Sequence, residues 1–541
     1  MAQISYRANL SSAIFPMTLA RAGRSVIIPG PDQNFDRRVD PSGEQKDAGI
    51  PQVIYMENVL PTSNGYQSVG YRTVTNATLP FIDMAILELK LPGGTYPEIL
   101  AFRTSGGTEV YRLNVDVWQL VTQVGAAVAV SSEAAISFGI VKGIIYIFHD
   151  AALFTYSTNG TSGTLTNVTA TLLPLGVMAN AIGIVGSYNY LLFFSGTSSL
   201  TVYRSSTLSA VDFQPSLITG AGSEGVTNTQ GNGKFLRATP AGFLIYTDNN
   251  IVAADYTGNA RYPFRFAPVA NSVGVTYPWE VYSDVDESEQ FTVSRASVIQ
   301  AVNNKSAQAV APEVSEYFER SNSFDSFEYI LNTFTTKLIP SNQETFRIYK
   351  LNSRYLFISY KESTVDILPG QYDAAFVFDL QLQRYGKLRK RHSHLVTMRS
   401  AFSNKLMLGL INNFTGASYI WELNIVESEQ TEMRGVILLG KFQYVRSRDL
   451  CLDELSFESG QVIDADPSPP ILPGNFTVLA YPTSNGKDFL PAHTPYYRAD
   501  DSTAAVANYF CGAEGKNVSV LVKGAFDLCS VELTFHVGGN L

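Results

Sequence analysis

The feature that most constrains this chain is a strand-turn-strand unit that recurs between residues 139 and 256. Ile144-Ile145-Tyr146-Ile147-Phe148 is a short, almost wholly apolar run, and after His149 and Asp150 comes Leu153-Phe154-Thr155-Tyr156, closed by Asn159-Gly160. The arrangement returns as Tyr190-Leu191-Leu192-Phe193-Phe194, then Leu200-Thr201-Val202-Tyr203. It returns again as Phe243-Leu244-Ile245-Tyr246, the turn Asp248-Asn249-Asn250, and Ile251-Val252-Ala253. Such runs are too short for helices and rich in β-formers. The Gly, Asn, Asp and Ser residues between them tolerate positive φ or bond their own backbone, which suits hairpins. Units recurring roughly every 40 to 55 residues mark a β-propeller, whose blades are four-stranded sheets of about that length. One unit cannot bury both its faces; a ring of them can.

Residues 1–52 read differently. Pro29-Gly30-Pro31-Asp32 and Asp40-Pro41-Ser42-Gly43 punctuate an extended path that buries little by itself. It is either a loose tail or a docking arm. Phe15, Arg21, Arg24, Phe35, Arg37 and Arg38 favour the arm, with these six as candidate interface anchors, since Arg and aromatics are preferred at interfaces. Residues 53–440 carry the units. Val53 to Gly70 is a strand, an Asn64-Gly65 turn and entry to the first blade, followed by Glu98-Ile99-Leu100-Ala101-Phe102 and Glu109-Val110-Tyr111-Arg112-Leu113. Near 295–335 the pattern breaks. Ser297 to Val302, and then Pro312 to Arg320, look helical, with Pro312 in a first turn backed by acids, so a helical insertion is expected there. Strand units resume as Arg354 to Tyr360 with Ala375 to Asp379, and Lys405 to Leu410 with Tyr419 to Leu423. The expectation is therefore a mainly β chain with six or seven blades. From 441 to 541 the strands alternate more cleanly, as in Leu521, Lys523, Val531, Leu533, Phe535 and Val537, which implies one wet face and a C-terminal antiparallel β-sandwich.

Composition narrows the functional classes. Aromatics make up 12% of the chain and charged residues only 16%, which favours sheet and large surfaces buried against other subunits. The net charge of −9 argues against an overall basic grip on nucleic acid. The amino terminus shows no charged-then-apolar signal segment and no run long enough to span a membrane. Cys451, Cys511 and Cys529 read as reduced, buried thiols.

No phosphate-cradling Gly-Lys-Ser/Thr loop, Gly-x-Ser-x-Gly elbow or His-Glu-x-x-His appears, and no carboxylate pair is singled out for glycoside hydrolysis. His392-Ser393-His394 could share a metal, but no Cys, Asp or Glu adjoins them in sequence, so an exposed basic loop or strand edge is expected. The preceding Lys387, Arg389, Lys390 and Arg391 form a candidate contact patch for DNA phosphates or an acidic neighbour, or else a solvated surface. Asp284 to Glu289 lacks the spacing and glycine of a Ca²⁺ loop and reads as solvated. No catalytic residue, cofactor or metal is expected, and the chain reads as a non-enzyme.

Taken together the pieces resemble the tail hub or nozzle (packaged-DNA stabilisation) proteins of short-tailed bacteriophages. The residues that carry the resemblance are Glu57-Asn58-Val59-Leu60 before Gly70-Tyr71, Gly186 to Phe194 running into Leu200 to Tyr203, Val314-Ser315-Glu316-Tyr317-Phe318 before the Tyr355–Tyr360 strand, and Leu452 to Gly460 followed by Ser484 to Phe489. No single motif is diagnostic; the resemblance is diffuse and rests on the order of the pieces. The resemblance implies a virion protein made in the host cytoplasm. It would form a ring, usually sixfold, beneath the portal and adaptor rings, retaining packaged genome, passing double-stranded DNA without sequence recognition, and carrying fibres or spikes. The amino-terminal arm is longer and more basic than the resemblance would have it. An acidic subunit suits such a conduit on separate grounds, because added Lys or Arg contacts would strengthen salt-dependent gripping of the duplex. Two other readings stand beside it. A receptor- or glycan-binding propeller would repeat polar pockets from blade to blade, and a propeller hydrolase would gather carboxylates at one mouth.

Overall fold

In the computed structural model the described residues are 3–10, 26–28, 53–91, 94, 96–178, 180–196, 200–283, 289–294, 298–312, 314–315, 342–361, 370–400, 406–412, 417–425, 435–444, 450–459, 476–483, 490–498, 506–515 and 517–537. They are mainly β-strand. Most fall into antiparallel meanders, each strand pairing with the next in sequence, and each meander's central strands are apolar on both faces. Meander 1 is Met84–Lys90, Pro97–Arg103, Val110–Asn114 and Val117–Leu120. Meander 2 is Ser137–Val141, Ile144–His149, Ala152–Thr158 and Gly163–Asn167, to whose last strand Thr122–Val124 adds in parallel. Meander 3 is Ala181–Ser187, Tyr190–Ser195, Thr201–Arg204 and Gly222–Gly225; meander 4 is Gly233–Thr239, Gly242–Thr247, Ile251–Tyr256 and Phe264–Pro268. Meander 5 is Val281–Ser283, Gln290–Val293, Ile299–Val302 and Ala307–Ala309; meander 6 is Asn342–Leu351, Tyr355–Lys361, Ala374–Asp379 and Arg384–Leu388.

Meander 7 is assembled from both parts of the chain. His394–Arg399, Leu406–Asn412 and Ser418–Ile425 follow in order, and the fourth strand is Tyr66–Leu79, which pairs antiparallel with Ser418–Ile425. Apolar side chains fill the space between successive meanders. Ile147 and Phe154 pack with Leu100 and Phe102 between meanders 1 and 2, and Phe148 meets Phe193 edge-on at 5.6 Å between 2 and 3. Further clusters lie between 3 and 4, 4 and 5, 5 and 6, and 6 and 7. Another joins Val396, Met398 and Ile420 of meander 7 to Ile99, Ala101 and Trp118 of meander 1. Each buried Phe in these layers contributes about 2–3 kcal/mol of transfer free energy.

The first strands of meanders 2 and 3 approach backbone to backbone. A Cβ on Gly186 would stand 2.3 Å from the Ile140 carbonyl oxygen, and one on Gly139 would stand 2.5 Å from the Gly186 nitrogen. Only glycine permits that approach.

The second body is a sandwich. One sheet runs Gln3–Asn9, Asp527–Val537, Leu450–Ser459, Val506–Gly515, Tyr496–Tyr497; the other runs Phe476–Thr483, Asn517–Gly524, Gly435–Tyr444, whose far edge takes Val26–Ile28 in parallel and Val53–Glu57 antiparallel. Between them lie Leu10, Ile437, Phe442, Leu455, Phe457, Val520, Leu533 and Phe535. The sandwich joins meander 7 where Asp527 and Leu528 pair with Gln67 and Tyr66.

Several sequence expectations are corrected. Ile299–Val302 is a strand of meander 5, not helix, because its residues alternate between pairing partners on two strands and lie in the sheet. Of the expected insertion only Val314 and Ser315 are described as helical; residues 295–297, 313 and 316–335 lie outside the described residues. Within residues 1–52, Gln3–Asn9 and Val26–Ile28 pair with this chain's own sandwich strands. Val53–Glu57 likewise joins the sandwich rather than opening a blade, and the sandwich begins at Gly435. Asn517–Gly524 is buried on both faces, so alternation marks Val506–Gly515 and the last strand but not the strand between them. Cys451, Cys511 and Cys529 are free thiols. No helix of the described residues is long and apolar enough to cross a membrane.

Candidate functional site: an axial cavity lined by the first strands

The first strand of every meander contributes to one cavity of about 200 Å³. Its walls include Glu88 from meander 1, Ile140 from 2, Gly186 from 3, Arg237 from 4, Tyr282 from 5, Arg347 from 6 and His394 from 7. First strands are shorter in apolar residues than the central strands because they face this space rather than a neighbouring sheet. Polar side chains therefore accumulate here.

They are paired with one another across the cavity. Arg347 forks onto Glu133, donating from Nη1 to Oε1 at 2.9 Å and from Nη2 to Oε2 at 2.6 Å. Glu133 sits on the short 3-10 turn Glu133–Ala135 that leads into meander 2, so this pair bridges meanders 2 and 6. His394 Nε2 lies 3.3 Å from the same Oε2, adding meander 7. Burial alone would raise the Glu133 pKa, but the Arg347 guanidinium and His394 outweigh it and hold the carboxyl well below the usual range. Burial and Arg347 both push His394 below its ordinary value, against the pull of Glu133. The Arg347 guanidinium also lies 5.7 Å from the ring of Trp279, which stacks on Tyr277 at 4.6 Å.

A second contact crosses between meanders 1, 6 and 7. The Tyr349 hydroxyl donates to Glu88 Oε2 at 2.7 Å and lies 2.6 Å from Thr397 Oγ1. Burial first, and then the Glu88 charge, raise the Tyr349 pKa well above its ordinary value. Behind the wall, His392 Nε2 is 2.7 Å from Ser359 Oγ and its Nδ1 is 2.7 Å from the Lys390 carbonyl oxygen. Burial pushes the His392 pKa down to about 4. The ring is neutral near neutral pH.

The expectation of an exposed His392-Ser393-His394 loop is thus corrected: all three are buried. His394 starts a first strand, and the carboxylate missing from its sequence neighbourhood arrives from Glu133. One carboxylate and one imidazole do not make a metal set, and no group of three or more His, Cys, Asp or Glu able to hold a metal occurs among the described residues.

The basic run is likewise engaged inside the chain. Lys387 is buried on the last strand of meander 6 with its ammonium 5.6 Å from the Tyr55 ring. Arg389 pairs with Glu57, and its backbone nitrogen donates to Asn58 Oδ1 at 2.9 Å. Lys390 lies over the rings of Tyr71 and Trp421, and Arg391 is half-buried. Lys387, Arg389 and Lys390 staple the turn between meanders 6 and 7 to residues 55–71, because each has an acid or an aromatic face within reach. The expected open contact patch is corrected accordingly. Phe15, Arg21, Arg24, Phe35, Arg37 and Arg38 lie outside the described residues, as do 284–288 of the acidic loop.

Sequence reasoning missed Glu88, Glu133, Tyr349 and Arg347. The only signal they carry is a charge or hydroxyl inside an otherwise apolar strand, which is a weak one.

No family model matches the chain, and no curated protein matches it significantly. Among solved structures it is similar to a candidate 6-phosphogluconolactonase from Bacteroides uniformis, at 11% identity over 64% of this chain and 96% of that one, TM-score 0.32. It is similar to the extracellular domain of a candidate one component system from B. thetaiotaomicron, at 10% identity over 84% of this chain and 59% of that one, TM-score 0.37. It is also similar to Kluyveromyces lactis Hsv2, at 12% identity over 55% of this chain and 84% of that one, TM-score 0.29. Likeness at these scores carries no argument about function.

Proposed function

We propose that this chain is a structural subunit of a phage tail: a seven-bladed β-propeller with an attached sandwich, copies of which form a hub or nozzle ring that extends the DNA channel. The blade count comes from meanders 1 to 7, each packed on the next and meander 7 packed on meander 1. The strand Tyr66–Leu79 acts as the clasp that ties the start of the chain to its seventh blade.

One observation carries the non-catalytic reading. The polar groups facing the cavity are largely engaged with the protein itself: Arg347 pairs with Glu133, His394 lies against the same carboxylate, Tyr349 donates to Glu88, and Arg237 donates to the Leu236 carbonyl and lies over the Phe235 ring. A site that binds or turns over a ligand holds convergent polar groups available to it, whereas these behave as a polar core that pins blades 1, 2, 6 and 7 together. A cavity of about 200 Å³ does not admit a duplex, whose major groove alone is about 12 Å wide. DNA would therefore pass between copies, through an opening at the centre of the ring, facing subunits of net charge −9 that do not grip phosphate.

The test is the mass and shape of the purified full chain, by sedimentation velocity and electron microscopy, alone and with the tail's adaptor ring. The expected result is a closed ring, of six copies, with a central opening wide enough for duplex. A monomer in both conditions that binds a glycan or turns over a substrate would sink the proposal and favour the receptor-binding or hydrolase reading.

A further inference from the structure

We propose that the flank of meanders 1 to 3 farthest from the axial cavity is the surface on which a second copy of this chain seats. This rests on the ring-subunit reading above and names the face it uses.

The starting point is charge. Residues 117–132 and 151–203 contain no Asp, Glu, Lys, Arg or His, in a chain whose charged fraction is 16%. The fold brings these two stretches together: Thr122–Val124 lies in register with Thr164 to Thr166, and Asn167 Nδ2 donates to the Ala126 carbonyl at 2.7 Å. From Asn167 the chain passes through Thr171 to Leu173, whose backbone nitrogen donates to Val211 at 2.9 Å. That contact adds the loop carrying Leu208 and Ile218. The flank is thus continuous from meander 1 to meander 3.

Its exposed side chains are apolar to an unusual degree. Ile218 is 93% exposed, Leu208 76% and Leu120 60%, with Val124 and Leu173 about half exposed beside them. Single exposed apolar residues need no explanation, but a continuous uncharged set does. The strands here are also sheet edges without the usual protection. The last strands of meanders 4 and 6 carry charges or proline, Arg265 and Pro268 in one and Arg384 and Lys387 in the other. The edge strands Val117–Leu120 and Thr122–Val124 carry neither. An unguarded edge invites association unless it is covered.

Charge also selects the occupant. A cationic partner would be drawn to the acidic remainder of the surface, where its charges are answered. Two copies of a −9 chain repel, and they approach at least cost through a face poor in carboxylates, on which Asp212 is half-buried and bridged to Leu173. The contact is heterologous, this flank against a different face of the next copy, which is the arrangement that generates rings.

Leu120→Glu and Ile218→Glu each place a charge on this flank without touching the core, and Arg265→Glu is the control on meander 4. The full-length proteins are compared by sedimentation velocity over a concentration series, with circular dichroism to confirm folding. Wild type and Arg265→Glu should assemble, while both flank variants should associate at least tenfold more weakly at unchanged spectra. Flank variants that assemble like wild type overturn this face and leave the ring reading standing. A wild-type chain that stays monomeric at the highest concentration overturns both.

Discussion

Replacing Glu133 by Gln is the sharpest probe of the axial cluster. The substitution keeps the shape and one acceptor oxygen for Arg347 but removes the charge that Arg347 faces. The Arg347 side chain is 11% exposed and that of Glu133 20%, so water offers the guanidinium little compensation. Breaking a buried pair from one side costs about 3–5 kcal/mol; because Gln still accepts a hydrogen bond and Glu133 is not fully enclosed, the lower end applies, about 3 kcal/mol. The assay is urea unfolding at neutral pH, followed by tryptophan fluorescence, with Trp279 beside the Arg347 guanidinium as the nearest reporter. The double variant Glu133→Gln/Arg347→Met should recover most of the loss, since no unpaired charge then remains. Glu133 has a depressed pKa in the folded state. Its contribution is therefore complete above the unfolded value of about 4.3 and is lost as pH falls toward the folded value, an acid-side loss the Gln variant lacks. A single variant that costs less than about 1 kcal/mol, the range of exposed pairs, would refute the reasoning: the cluster would then be wet, and the first strands of meanders 2, 6 and 7 would not be held together by it.

Other outcomes follow from the same geometry. His392 is held neutral, with its pKa pushed down to about 4, so the unfolded chain binds its proton first and stability falls as pH drops from about 6.5 towards 4. His392→Gln should flatten that part of the unfolding-versus-pH curve by about 3 kcal/mol, and an unchanged curve would contradict the burial. Gly186→Val forces side-chain atoms against the Ile140 backbone and should cost about 3 kcal/mol or more, read as lost soluble yield and a lowered melting temperature. A well-folded valine variant would mean that meanders 2 and 3 do not converge there.

The unit read from sequence was the middle of each meander. Ile144 to Phe148 with Leu153 to Tyr156, Tyr190 to Phe194 with Leu200 to Tyr203, and Arg354 to Tyr360 with Ala375 to Asp379 are each a central hairpin. Those strands are covered on both faces by neighbouring sheets, so they must be apolar throughout, and apolar runs between turn residues are visible without a structure. First and fourth strands border the cavity or solvent. Their glycines, charges and hydroxyls hide them, as in Gly222–Gly225 or Ser137–Val141. Gln290–Val293 escaped notice and Ile299–Val302 was read as helix for a related reason: they are short, and Gln290 and Gln300 break the apolar run.

Order along the chain thus determined which hairpins form, that the fold is mainly β, and that a differently patterned sheet body closes the chain. What it could not determine is every pairing that spans hundreds of residues. Tyr66–Leu79 completing meander 7, Gln3–Asn9 adding to the final strand, and Glu133 meeting Arg347 and His394 were decided by the tertiary structure alone. The physical reason is range. A turn is written in adjacent residues and a buried strand in its own side chains. The partner of a free edge or of a buried charge is chosen by where the assembled layers leave an unsatisfied group, and no local stretch of sequence records that place.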